Sequence, residues 1–232
     1  MVPHAQRGVI RHPAQIYGYS VYGTPLEVYL PTEKTECLVF AGIHGEEAET
    51  TILLSRALRS RQSALRHCAV VLAANPDGLA RGTRANARGV DLNRNFPADN
   101  WRGDQVLHRW DEGQAQEVAL SPGHAPASEP ETLALMQLVE RLNPSHIVSL
   151  HGPLACIDDP QGSALGQWLA QGSGLPLVAD IGSPTPGSFG SWCRDQDRAV
   201  ITYENCRRIR SGACRRCICR CCHGCWTGVG TG

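Results

Sequence analysis

Four short motifs contain side chains suited to metal-assisted hydrolysis of an amide bond. Two of them supply imidazoles and a carboxylate, His44, Glu47 and His151, which together could hold a metal ion. Another ends in Glu204, a carboxylate that could transfer protons during catalysis. The remaining run, residues 89–96, contains an arginine and two asparagines that could bind an anionic group. Each motif is weak alone, but their combination indicates a reaction class.

The metal-binding interpretation depends on the two histidines being brought together. A His-x-x-Glu pair such as His44 and Glu47 also arises by chance in a chain with nine histidines. His151, however, ends a second apolar run, and an imidazole at a strand end is either a ligand or a hydrogen-bonded core residue. Two imidazoles and one carboxylate at strand ends match the open ligand set of a catalytic zinc ion, so we predict one zinc bound by these three residues.

Other polar residues have both a functional and an ordinary interpretation. Asp91 could orient a ligating imidazole from the second ligand shell, or it could be a turn aspartate. Arg84, Asn93 and Arg94 could bind a substrate carboxylate, or the arginines could be solvated loop residues. Glu204 follows an apolar run and could be a general base and acid, or a surface glutamate at a strand end.

The elements that must position these residues alternate between buried strands and helices. Apolar runs at residues 37–42, 68–74, 146–150 and 198–203 predict strands, and residues 48–58 predict a helix. Ser128-Glu129-Pro130-Glu131 predicts a capping box at the start of another helix. Residues 80–127 show no clear periodicity and are predicted to be irregular. The fold class is therefore α/β, with a mixed, largely parallel central sheet flanked by helices and the site at its carboxyl edge.

Composition excludes several classes of partner. The chain has 22 basic and 22 acidic residues, so no charge excess favours nucleic acid. No apolar run approaches the roughly 20 residues that span a bilayer, and residues 1–8 lack the apolar core of a secretory signal. These features predict a cytoplasmic protein with neither a nucleic-acid nor a membrane partner. The sequence does not indicate an oligomeric state.

Taken in order, the motifs resemble those of the zinc carboxypeptidase family. The resemblance rests on His-x-x-Glu at residues 44–47, Asn-Pro-Asp-Gly at 75–78, the run from Arg84 to Phe96, the histidine at 151 and the glutamate at 204. It extends over roughly residues 15–204. Three longer runs, at residues 123–131, 151–160 and 186–193, are similar to a branch of the family that acts on cell-wall peptides.

The resemblance implies a role for each candidate residue. It implies that His44, Glu47 and His151 hold zinc, that Arg84 stabilises the oxyanion, and that Glu204 is the general base and acid. It also implies that Asn93 and Arg94 bind the terminal carboxylate of the substrate. The implied substrate is a small muropeptide from cell-wall turnover, cut at its γ-D-glutamyl–meso-diaminopimelate amide. A deacylase of N-acyl amino acids and an inactive zinc-binding protein remain as alternatives.

Composition changes abruptly after Glu204. Four of the eleven cysteines are spread over residues 1–204, and the other seven lie within residues 205–232, which are also rich in arginine and glycine. Two Cys-x-x-Cys pairs in this segment have the spacing of metal ligands. Alternatively, a shift of reading frame produced it, because the family pattern stops there and the composition fits no folded element. We favour the frameshift and predict a catalytic domain of residues 1–204 followed by a non-family tail, 205–232.

Overall fold

Strands and helices alternate along the chain in the computed structural model, which describes residues 8–60, 65–110, 116–182 and 184–205. The strands are β1 (Ala14–Tyr19), β2 (Pro25–Tyr29), β3 (Cys37–Phe40), β4 (Cys68–Val71), β5 (Val106–Trp110), β6 (Gln116–Leu120), β7 (His146–His151), β8 (Cys156–Asp158), β9 (Leu177–Val178) and β10 (Val200–Glu204). The helices are α1 (Ala48–Ser60), α2 (Pro76–Arg81), α3 (Pro130–Leu142), α4 (Ala164–Ser173) and α5 (Phe189–Asp195).

Eight of these strands form one mixed sheet in the order β1-β2-β4-β3-β7-β10-β8-β9. The four central strands, β4, β3, β7 and β10, run parallel to one another. Strands β1 and β2 join antiparallel at one side, and β8 pairs antiparallel with β10 at the other. This topology confirms the predicted α/β fold with a mixed, largely parallel sheet. It also brings the carboxyl ends of β3, β7 and β10 to one edge, where ligands bind in such sheets.

Helices cover both faces of the sheet because successive strand side chains point to opposite sides. In β3, Cys37 and Val39 pack on one face, while Leu38 and Phe40 pack on the other. Buried leucines at helical spacing on α1 join the first core, together with a leucine from α4. The second core takes apolar residues of α3 and α5, including Phe189, whose ring lies 4.8 Å from that of Phe40. Each large apolar side chain buried in this way contributes about 1.5–3 kcal/mol.

The prediction that residues 80–127 are irregular was wrong in part. Strands β5 and β6 lie within this segment and pair antiparallel as a separate two-stranded sheet. A short 3-10 helix, Leu92–Arg94, also lies there. Just before this segment, Asn75 is the N-cap residue of α2, because its side-chain oxygen accepts a hydrogen bond from the Gly78 N–H at 2.9 Å.

The predicted capping box at the start of α3 was also wrong. Glu129, not Ser128, is the N-cap residue, and its own side chain makes no capping hydrogen bond. The Ser128 hydroxyl instead donates to Glu129 Oε1 at 2.9 Å. The Glu131 Oε1 accepts a hydrogen bond from the Val21 N–H at 2.9 Å. Long-range contacts to the loop after β1 therefore replace the local capping geometry.

The described chain continues one residue past β10. Asn205 is buried, and its N–H donates to the carbonyl of His151 at 2.7 Å. The rest of the predicted tail, residues 206–232, lies outside the described residues, so its separation from the catalytic domain stays a prediction. Within the described part of the chain, no helix is long and apolar enough to cross a membrane.

Candidate metal centre and active site

The loop from β3 to α1 presents two of the predicted metal ligands at the carboxyl edge of the sheet. His44 and Glu47 are only 1% and 6% exposed there. The loop passes very close to α2, and a Cβ atom at Gly45 would lie 2.0 Å from the carbonyl carbon of Gly78. Only glycine permits that approach, so Gly45 fixes the path that turns His44 and Glu47 toward the site.

His151 brings the third predicted ligand from the neighbouring strand. It is the last residue of β7, which pairs parallel with β3. His44 Nδ1 lies 2.9 Å from Glu47 Oε1 and 3.3 Å from His151 Nδ1. His151 Nδ1 in turn lies 3.4 Å from Glu47 Oε2. The structure thus brings together the three ligands that the sequence predicts.

This donor set fits a zinc ion. One ligand atom from each of His44, Glu47 and His151 lies within 4.8 Å of the others. Glu47 Oε2 is buried without a hydrogen-bond partner among the described residues, and two imidazole nitrogens face each other beside it. Converging nitrogen and oxygen lone pairs need a shared cation, and two histidines with one glutamate are a known catalytic zinc set. Burial opposes ionisation of Glu47, but His44 and His151 outweigh it and lower the pKa of this carboxyl.

Asp91 connects the candidate metal site to an arginine. It is fully buried, and its Oδ1 lies 3.3 Å from His44 Nε2, on the side of the ring away from the other ligands. Its Oδ2 accepts a hydrogen bond from Arg84 Nε at 2.9 Å. Burial alone would raise the pKa of Asp91, but Arg84 and His44 hold it well below its usual value. Asp91 is thus an anion beside the His44 ring, and its orienting role stays a prediction.

Glu46 and His108 belong to this site although the sequence analysis did not single them out. The Glu46 side chain is 6% exposed, and its Oε1 lies 3.2 Å from Arg84 Nη1. His108, on β5, places Nε2 3.0 Å from the same Glu46 oxygen. Arg84 is therefore held through Nε by Asp91 and through Nη1 by Glu46. Among the contacts that the described residues make, this fork leaves Arg84 Nη2 without a hydrogen-bond partner.

Glu46 helps to hold the Arg84 side chain in place. We expect Glu46→Gln to lower turnover by roughly ten- to hundredfold, because a small misplacement of Arg84 should have an effect of this size. Steady-state kinetics should show the loss mainly in kcat, while zinc content and melting temperature stay near those of the parent. Glu46→Asp keeps the charge and should recover part of the activity. Unchanged turnover in Glu46→Gln would mean that Asp91 alone positions Arg84.

Glu204 lies at the same edge of the sheet as the metal ligands. It is the last residue of β10, opposite His151 of β7 and Cys156 of β8. The side chain is 7% exposed, and its Oε2 accepts a long hydrogen bond of 3.3 Å from the Leu154 N–H. Burial is the largest cause that raises its pKa above the usual glutamate value, and nearby Glu47 adds to it. A carboxylate of raised pKa suits a group that must accept and return a proton.

Asn93 and Arg94 follow Asp91 in the short 3-10 helix, which places them beside the site. Asn93 Oδ1 accepts a hydrogen bond from the Phe189 N–H at 2.9 Å, so its remaining side-chain group is a donor. Arg94 donates through Nη1 to the Asn93 carbonyl at 2.7 Å and has no carboxylate partner among the described residues. Burial lowers the pKa of Arg94. A half-buried, unpaired guanidinium beside an amide donor can bind an anionic group.

Known proteins are similar to this chain in sequence and in fold. A family model described as zinc carboxypeptidase matches residues 15–160. Murein peptide amidase A of Escherichia coli is 48% identical over 206 residues, which cover 87% of this chain and 85% of that protein. Murein peptide amidase A of Vibrio campbellii is 40% identical over 208 residues, covering 88% and 84%.

Solved structures agree with these sequence matches. A crystal structure of murein-tripeptide amidase MpaA from Escherichia coli matches with a TM-score of 0.88 and 45% identity, covering 96% of this chain and 95% of that one. Thrombin activatable fibrinolysis inhibitor matches with a TM-score of 0.66 and 18% identity, covering 90% of this chain and 69% of that one. The second likeness concerns the fold alone.

Proposed function

Because the chain belongs to the zinc carboxypeptidase family, we propose that it is a zinc-dependent amidase of cell-wall recycling. Its substrate is a muropeptide, and the bond cut is the γ-D-glutamyl–meso-diaminopimelate amide. The observation that supports this most strongly is the convergence of His44, Glu47 and His151 at the sheet edge that also holds Glu204. The 48% identity to murein peptide amidase A narrows the substrate class within the family.

Hydrolysis needs charge stabilisation and proton transfer, and the chain has a group for each. His44, Glu47 and His151 would hold the zinc ion, which would supply Lewis-acid polarisation of the carbonyl group. Glu204 accepts a proton from the attacking water and delivers one to the departing nitrogen as the C–N bond breaks. The Arg84 guanidinium stabilises the negative charge that develops on the carbonyl oxygen.

The leaving group is an amino acid with a free carboxylate, and Asn93 and Arg94 are the proposed carboxylate-binding residues. Arg94 is partly buried and has no acidic partner among the described residues, so it can pair with a substrate anion without breaking an existing ion pair. Paired hydrogen bonds from a guanidinium and an amide would fix the leaving group relative to Glu204. We also propose a cytoplasmic location, since Cys156 and Cys193 are buried thiols that form no disulfide, which fits a reducing compartment.

Turnover of a defined muropeptide tests the proposed function directly. Zinc-loaded protein should release diaminopimelate from L-Ala-γ-D-Glu-meso-diaminopimelate, as measured by chromatography of the free amino acid. N-acetyl and N-succinyl amino acids should not be hydrolysed. The opposite preference would identify a deacylase, and the absence of turnover on all of them by a folded, zinc-loaded protein would identify an inactive zinc-binding protein.

Arg94→Ala should lower the preference for a free-acid substrate over its amidated counterpart. Truncating one partner of a buried charge pair costs about 2–5 kcal/mol, so the ratio of kcat/KM values should fall by roughly 30-fold or more. Arg88→Ala is a suitable control, because that side chain is 54% exposed and pairs with Glu129. Equal losses on both substrates in Arg94→Ala would indicate a structural arginine instead.

A further inference from the structure

Asp158, the last residue of strand β8, lies on the face of the sheet that contains the proposed catalytic residues. In the pairing of β10 with β8, Tyr203 lies opposite Ile157, and both side chains pack in the core beneath α1 and α4. Side chains alternate along a strand, so Glu204 and Asp158 lie on the other face. His151, opposite Glu204 on β7, shares that face because its neighbour Leu150 packs in the same core as Tyr203.

Asp158 lies close to Glu204 along this face. It pairs with Thr202, two residues before Glu204 on the adjacent strand. Two residues of a strand span roughly 7 Å, a distance that the side chain of a diamino acid can cover. Besides burial, which is the largest cause of both shifts, Glu204 raises the pKa of Asp158, and both carboxylates raise the pKa of Cys156, which lies opposite Glu204 on β8.

The Asp158 carboxylate lacks a compensating partner within the described residues. Its Oδ1 is buried without a hydrogen-bond partner, and no lysine, arginine or histidine of the described chain forms an ion pair with it. Burial is the largest cause that raises its pKa, and Asp180 and Glu204 add to it. The adjacent Asp159 is different, since its oxygens accept hydrogen bonds from Ser163 and Gln161 and so stabilise the loop before α4. Asp159 has a structural role, whereas Asp158 has none that the described contacts reveal.

A buried carboxylate oxygen without a partner is costly unless a ligand satisfies it. The side of the site next to Glu204 must accept the departing amino acid, because Glu204 delivers the proton to its nitrogen. In the proposed substrate that amino acid has a second ammonium group on its side chain. An ammonium is the complement that the unpaired oxygen of Asp158 requires.

We propose that Asp158 determines specificity by pairing with the side-chain ammonium of the leaving diamino acid. This inference rests on the proposed function, because it assumes that the leaving group occupies the space beside Glu204. Arg94 then binds the α-carboxylate, and Asp158 binds the distant amine. The guanidinium of Arg94 and the carboxylate of Asp158 together select a diamino acid in a fixed orientation. A neutral side chain of the same length leaves Asp158 unpaired and is disfavoured.

Two peptides that differ by one charge test the assignment. We would compare kcat/KM for L-Ala-γ-D-Glu-L-Lys and for the same peptide ending in norleucine, which replaces the ammonium with a methyl group. The parent should prefer the lysine peptide, and Asp158→Asn should reduce that preference by about tenfold or more, as for loss of a buried charge pair. Asp158→Glu should retain most of the preference. Retained turnover of the norleucine peptide by Asp158→Asn would show that this variant is folded.

Asp180→Asn is the matched control for charge. It removes the same charge from the neighbourhood of Asp158, but Asp180 is exposed, and its Oδ1 already accepts a hydrogen bond from the Gly182 N–H. The preference for lysine should be unchanged in this variant. An unchanged preference in Asp158→Asn, or an equal loss in both variants, would overturn the proposal.

A binding measurement separates this proposal from the proposed function. Calorimetry should detect tighter binding of free L-lysine than of norleucine to the zinc-loaded parent, and Asp158→Asn should abolish the difference. The parent could cleave no γ-glutamyl peptide and still bind lysine more tightly than norleucine. The proposed reaction would then be wrong, whereas the pairing of Asp158 with a side-chain ammonium would be supported. Equal binding of the two amino acids to the parent would overturn the subsite whatever the turnover.

Discussion

Replacing His151 with alanine is expected to remove one equivalent of zinc and nearly all activity. The variant keeps His44 and Glu47, but two ligands do not complete the three-residue set of a catalytic zinc site. Metal polarisation of a carbonyl is worth several kcal/mol, so turnover should fall by roughly a thousandfold or more. Atomic emission spectrometry on the dialysed protein measures the zinc, and release of diaminopimelate measures the activity.

The control for this experiment lies on the same strand. His146 begins β7, five residues before His151 and at the opposite edge of the sheet from the site. His146→Ala should keep the zinc content and activity of the parent. The zinc content of the variant is compared with that of the parent and is not used as an absolute count, because the cysteines after residue 205 have the spacing of metal ligands. A His151→Ala protein with the same zinc content as the parent would refute the ligand assignment.

Glu204→Gln should retain zinc and lose most turnover. The amide keeps the shape of the carboxylate, and its oxygen can still accept the hydrogen bond from the Leu154 N–H. What it loses is the ability to accept a proton, and positioned acid–base groups contribute about 10²–10⁴-fold to the rate. Single-turnover kinetics with the murein tripeptide would locate the loss in the chemical step.

Glu140→Gln makes the same chemical change on an exposed face of α3 and should behave like the parent. Substrate affinity should change little in Glu204→Gln, because the carboxylate-binding residues are unaltered. Near-parental turnover in this variant would show that Glu204 is a bystander, and some other group would then have to move the proton.

The metal ligands could be predicted from sequence because each follows a strand with a strong local signal. The apolar runs before His44 and His151 identify parallel strands, and parallel strands end at a common edge of the sheet. Sequence does not reveal that β3 and β7 are neighbours, and it is this adjacency that brings His44 and His151 within reach of one ion. Glu204 could be placed at the same edge by the same reasoning.

Residues positioned by long-range contacts were not predictable in this way. His108 reaches Glu46 only because the paired strands β5 and β6 lie against the site, and these two strands form a small sheet of their own. The sequence offers only a weak signal for this pair of strands, because Val106 and Trp110 favour a strand whereas Glu117 and Ala119 do not. The surrounding glycine, proline and asparagine residues obscured it.

Asp158 illustrates a different limit of prediction from sequence. Strand β8 is three residues long, too short for alternation to be recognised. Its antiparallel pairing with β10 decides which of two adjacent aspartates faces the site and which one stabilises the loop before α4. A shift of one residue in this pairing would exchange the positions of Asp158 and Asp159. Such register depends on the assembled sheet and not on any local pattern.

The position of β10 in the sheet sets an order for the maturation of the site during synthesis. This strand follows β8 and β9 along the chain, yet it lies between β7 and β8. During translation, His44, Glu47 and His151 therefore emerge before the strand that carries Glu204. Domains fold as the chain leaves the ribosome, and contacts between distant segments form last. Because a domain generally folds as a unit, β7 and β8 can join one sheet only after β10 has been made, so hydrolytic competence is expected to wait for this strand.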